Sequence, residues 1–120
     1  MRTLIFALAV LGAPAWAAGD VFAQCRFAQE CLEGETCNAT DFELTVRHDD
    51  LAGFALESLA ETVAGLVFDN GQPDSTSTLV ASGETAYHLL TIERDGAARY
   101  TVHMQGPMAI TYLGSCEVAT

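Results

Sequence analysis

Two runs of strand-forming residues, Ala86–Glu93 (AYHLLTIE) and Ala98–Gln105 (ARYTVHMQ), flank Asp95-Gly96. Asp-Gly between two β-rich runs is the strongest short-range hairpin signal, because tight turns need residues that tolerate positive φ. Gly106-Pro107 supplies the next turn, and Met108–Leu113 (MAITYL) the strand after it. The C-terminal third therefore reads as an antiparallel meander.

The same pattern extends upstream. Phe42, Leu44 and Val46 alternate with Glu43, Thr45 and Arg47, the period of a half-buried strand. His48–Gly53 reads as a turn, Phe54–Leu56 resumes, and Thr62–Phe68 (TVAGLVF) is a further β-branched run. Gly53–Ala64 fits a short helix as well as strand and turn. Asp69–Asp74 (DNGQPD) is a loop by its breaker residues, Thr78–Ser82 a short strand, and Gly83-Glu84 a turn. The expected fold is all-β and mainly antiparallel: a small barrel or sandwich of seven or eight strands.

A two-residue turn at Asp95-Gly96 sets Arg94 opposite Ala97, and so Tyr87 opposite Met104, His88 opposite His103 and Leu90 opposite Thr101. Both faces of that hairpin carry apolar area, so the sheet is expected to be covered on both sides or closed on itself. Carried through Gly106-Pro107, the register places Ile110 beside His103 and Tyr112 beside Thr101.

Cys25, Cys31 and Cys37 are evenly spaced, and Cys116 stands near the C-terminus. The spacing lacks the tight knuckles of zinc sites and the C-x-x-C of thiol oxidoreductases, which points to structural disulfides. Of the three possible pairings, the expected one joins Cys31 to Cys37 as a local staple and Cys25 to Cys116 as a bridge between the ends.

The N-terminus agrees with an oxidising destination. Met1-Arg2 precedes the apolar run Leu4–Leu11, Pro14 breaks it, and Ala15-Trp16-Ala17 matches a signal-peptidase site. The run is shorter than the roughly 20 residues a spanning helix needs. Residues 1–17 are thus expected to be a signal peptide, and 18–120 one disulfide-stapled domain, exported to the periplasm or secreted. The first cysteine, Cys25, stands too far from the signal to be a lipid anchor.

The chain has five basic and 16 acidic side chains, a formal −11. Arg2 leaves with the signal, so the mature chain is more acidic still. Such a surface repels nucleic-acid phosphates and anionic membranes. A basic protein or a cation is the better expected partner, and oligomeric state is left open.

Chemistry-bearing motifs are sparse. No nucleophile elbow, zincin helix or phosphate loop occurs, and the chain is expected to be a non-enzymatic binding protein without a cofactor. His88 and His103, if cross-strand neighbours, would offer two imidazoles to a divalent metal, and a periplasmic metal-binding protein is the alternative reading. The Asp69–Asp74 loop offers oxygens but not calcium-loop spacing. Asn38-Ala39-Thr40 matches a glycosylation sequon.

Two resemblances follow from longer strings. Cys25-Arg-Phe-x3-Cys31-x-Glu-Gly-Glu-x-Cys37, together with Tyr112-Leu-Gly-Ser-Cys116-Glu117, resembles small uncharacterised exported proteins of alphaproteobacteria, and implies an envelope setting. Ser82-Gly83-Glu84-Thr85-Ala86-Tyr87 resembles the Ser-Gly-x-x-Tyr motif of C-type lysozyme inhibitors of the bacterial envelope, with one residue more before the Tyr. That family's second motif, Tyr-x3-Gly-x2-Gly-x-Leu, does not occur here. The likeness implies an eight-stranded barrel and a loop carrying Ser82, Gly83 and Tyr87 that binds a basic enzyme attacking the envelope.

Overall fold

Buried and exposed side chains alternate along most of the chain, and the strands follow that alternation. The computed structural model describes residues 20–51, 53–68, 77–106 and 108–119; the signal segment and the Asp69–Asp74 loop lie outside them. The strands are β1 (Asp20–Leu32), β2 (Asn38–Asp49), β3 (Gly53–Glu57), β4 (Thr62–Phe68), β5 (Ser77–Ser82), β6 (Ala86–Ile92), β7 (Ala97–Met104) and β8 (Met108–Val118). Each pairs antiparallel with the next, and β8 returns to β1, closing an eight-stranded barrel. Closure leaves no open sheet edge. It also accounts for apolar side chains on both faces of the C-terminal meander only in part: the inner face is the core, and Tyr87, Leu89 and Met108 are left exposed on the outer one.

The core is filled from every strand. Ala23, Cys25 and Phe27 of β1, Leu44 and Val46 of β2, Leu56 of β3, Val63 of β4, Leu79 and Ala81 of β5, Leu90 and Ile92 of β6, Tyr100 of β7 and Cys116 of β8 pack together inside. At the end where β1 terminates, the filling turns aromatic. Phe42 stacks on Tyr112 with ring centres 4.7 Å apart, and Phe27, Phe42 and Tyr112 surround the Tyr100 ring.

Both expected disulfides are formed: Cys25–Cys116 and Cys31–Cys37. Cys25 and Cys116 are directly opposed on β1 and β8, the seam where the barrel closes. The sheet is irregular in β1 between Phe27 and Gln29, against both of its neighbours. Such bulges bend a long strand around a barrel wall. Gly114 of β8 stands beside the irregularity, where an added Cβ would overlap the Arg26 carbonyl oxygen and the Phe27 Cα.

One open reading is settled, in favour of strand and turn, and two local expectations are corrected. Gly53–Ala64 holds β3, a turn closed by Ser58 N donating to the Glu61 carbonyl at 2.9 Å, and the start of β4, with no helix. Strand β2 runs on through His48 to Asp49, whose carboxylate accepts the Leu51 amide.

The second correction concerns register. The β6–β7 loop has three residues, Arg94-Asp95-Gly96. Gly96 N donates to Glu93 O, Glu93 N donates to Ala97 O, and Gly96 takes φ +95°. This is a type I turn followed by a left-handed glycine. Glu93 rather than Arg94 therefore faces Ala97, and every later pair shifts by one. His88 stands opposite Val102, Leu90 opposite Tyr100, and His103 opposite Tyr87. The β7–β8 register shifts likewise, setting Ile110 opposite Val102 and Tyr112 opposite Tyr100.

Candidate functional site at the acidic barrel mouth

One end of the barrel gathers the β1–β2, β3–β4, β5–β6 and β7–β8 connections. Their described residues carry Glu33, Glu35, Glu61 and Glu84 and no Arg or Lys. The arginines elsewhere on the wall are in part occupied: Arg26 pairs with Asp41 and Glu43, and Arg47 with Glu57. The mouth is thus negative because its connections are.

The β5–β6 hairpin is the most exposed feature of this end. Gly83 N donates to the Ala86 carbonyl at 2.9 Å, leaving Glu84 and Thr85 as the two turn residues. Ser82 and Tyr87 are then direct cross-strand partners. The sixth residue of the segment is what brings the two together, since four intervening residues close a two-residue hairpin. The Tyr87 side chain stands 66% exposed, flanked by Ser82 on β5 and His103 on β7. Clefts lie on both sides of the hairpin. One of about 370 Å³ is lined by Glu61–Ala64 and Ser82–Thr85, and one of about 230 Å³ by residues 83–87 and His103–Gln105. Leu59, at the tip of the β3–β4 turn, is fully exposed beside them.

Beneath the hairpin lies the one buried polar side chain among the described residues, His88, only 2% exposed. Its position inside follows from the observed register, which turns His88 inward with Leu90 and Ile92 and leaves His103 outside. The two imidazoles expected to face each other therefore sit on opposite faces of the wall, and the paired-histidine metal site is not formed. Among the described residues no group of three or more His, Cys, Asp or Glu is placed to hold a metal.

His88 has other neighbours. Its Nδ1 lies 2.5 Å from the Tyr100 hydroxyl, and the two rings stack at 5.8 Å. Its Nε2 lies 3.4 Å from Glu61 Oε1 but makes no hydrogen bond. Burial pushes the imidazole below its ordinary pKa, against the opposing pull of the Glu61 carboxylate. Burial first, then Glu61, raises the Tyr100 hydroxyl well above its usual value. Both groups are therefore neutral at pH 7.

Glu61 and Tyr100 were not legible as site residues. Glu61 falls in the segment that reads ambiguously, and Tyr100 reads as an ordinary strand aromatic. Residues 61, 88 and 100 meet only after β3–β4 is folded against β6–β7 by closure.

Comparison with known proteins adds no relative: no family model, curated protein or solved structure matches this chain.

Proposed function

We propose that this chain is an exported, non-enzymatic binding protein whose acidic barrel mouth docks a basic protein. The most concrete partner is a basic hydrolase that attacks the bacterial envelope, such as lysozyme. The observation that carries the reading is the β5–β6 hairpin, which projects between two clefts on a rim whose described residues carry four glutamates and no Arg or Lys. Two features support it further. Exposed Tyr87 and Leu59 give the rim apolar anchors of the kind found at interface centres. Charge of one sign at a rim accelerates encounter with a partner of the other. Location outside the cytosol rests on the leader-like N-terminus and on two formed disulfides with no free cysteine among the described residues.

The test is titration of the mature protein against a C-type lysozyme, by calorimetry and by turnover of cell-wall substrate, at low and high salt. Saturable binding that inhibits turnover supports the proposal. No binding at low salt overturns the lysozyme reading.

A further inference from the structure

We propose that Nε2 of His88 and the carboxylate of Glu61 form a binding site for a divalent cation of the zinc class, opening into the cleft beside the β5–β6 hairpin. The site does not use His103; it shares Glu61 with the acidic rim, but zinc binding is measured without a protein partner and so stands or falls independently of docking.

The imidazole Nε2 is buried and has no hydrogen-bond partner. A buried polar atom left unpaired is costly, so such atoms call for an occupant. Glu61 Oε1 lies 3.4 Å away, in contact yet without hydrogen-bond geometry. Zinc binds nitrogen and carboxylate oxygen at about 2.0–2.1 Å, and two tetrahedral ligands at those lengths stand about 3.3 Å apart. The observed separation therefore accommodates one ion bridging both atoms with almost no movement.

The surroundings match that use. A metal-bound histidine commonly donates its second ring N–H to an oxygen that fixes its tautomer and orientation. The Tyr100 hydroxyl stands 2.5 Å from Nδ1, in position to accept that proton. The imidazole Nε2 lies just beneath the cleft floor. Glu61 lines the cleft of about 370 Å³, and Gly83 lines it too, with no side chain where a Cβ would come 3.4 Å from Nε2. Imidazole and carboxylate together suit a borderline divalent ion such as zinc better than magnesium or calcium, which take oxygen ligands. With two protein ligands the remaining positions fall to water, and binding is weaker than at zinc sites with three or four.

The experiment is calorimetric titration of chelator-treated mature protein with zinc chloride, paired with 15N–1H spectra of the histidine rings. One equivalent of zinc is expected, with the largest shift at the His88 ring. Glu61→Gln should weaken binding at least tenfold, and His103→Ala should leave it within twofold. Glu61 is half exposed, so that variant keeps the fold even where His88→Ala does not. Failure to saturate at millimolar zinc, equal affinity in Glu61→Gln, or loss of binding in His103→Ala would each overturn the proposal.

Discussion

The Nδ1 of His88 lies 2.5 Å from the hydroxyl of Tyr100, and both residues are at least nine-tenths buried inside the barrel. Hydrogen bonds that join strands through their side chains in a small core are few, so this one has a measurable weight. Tyr100→Phe keeps the stacked ring but strands Nδ1 in an apolar setting. It is expected to lower unfolding free energy by about 1–3 kcal/mol, the cost of an orphaned buried polar atom. Urea denaturation measures it. Tyr112→Phe, at a ring that stacks on Tyr100 but is only partly buried, should cost less.

The same burial makes stability sensitive to acid. The folded His88 binds its proton less readily than the unfolded chain does, since burial outweighs Glu61. Below a pH of about 6.5 the unfolded state gains protons that the folded state does not, so stability falls with pH. The loss should begin near that value and level off once the folded imidazole is also protonated. Denaturation at a series of pH values, with chelator present, should show this limb in the native protein. His88→Gln should flatten it, and His103→Ala should not.

Gly114 is expected to tolerate no side chain. An alanine methyl would run into the backbone of Arg26 and Phe27 on β1, across the strand pair that closes the barrel. Backbone at a closure seam cannot retreat as a flexible side chain can. Gly114→Ala should cost at the top of the roughly 1–3 kcal/mol overpacking range or beyond it. Gly83→Ala meets nothing closer than 3.4 Å and should stay within about 1 kcal/mol of the native protein by thermal denaturation.

The two disulfides should differ in weight. Cys25–Cys116 spans a sequence separation of 91 and Cys31–Cys37 one of 6. Loop-closure entropy assigns roughly 4–5 kcal/mol to the long bridge and roughly 2 to the short one. The Cys25→Ser/Cys116→Ser double variant should therefore lose about twice the stability of Cys31→Ser/Cys37→Ser. Guanidinium titration of the two variants is the check.

At the rim, charge reversal should act through association rate. Glu84→Lys is expected to slow binding to a basic partner severalfold and to flatten its salt dependence, while Tyr87→Ala should mainly speed dissociation. Surface plasmon resonance at two ionic strengths separates the two effects. An unchanged association rate in Glu84→Lys would count against docking through this mouth.

Much of the architecture was written locally. Alternation in β2, the turn residues between runs and the cysteine spacing each depend on neighbours in sequence, and each agrees with the structure. The loop after β6 shows where such reading stops. Asp95-Gly96 marks a turn in either case, but whether the loop has two residues or three is settled by how the hairpin twists into the barrel wall. There the Gly96 carbonyl accepts the amide of Cys116 at 2.7 Å. A register change of one residue exchanges the two faces of a strand pair. That single step sent His88 inward and left His103 outside.

The chain by itself therefore determined that strands would form, that they would pair antiparallel around a filled interior, and that the cysteines would form disulfides, while which ones join was settled by the folded structure. These outcomes follow from side-chain period, turn propensity and covalent reach. Only the tertiary structure decided that the sheet closes, which face each residue takes, and that Glu61, His88 and Tyr100 meet beneath one hairpin. Closure is a property of all eight strands at once, and residues so far apart in sequence share no local pattern that would bring them together.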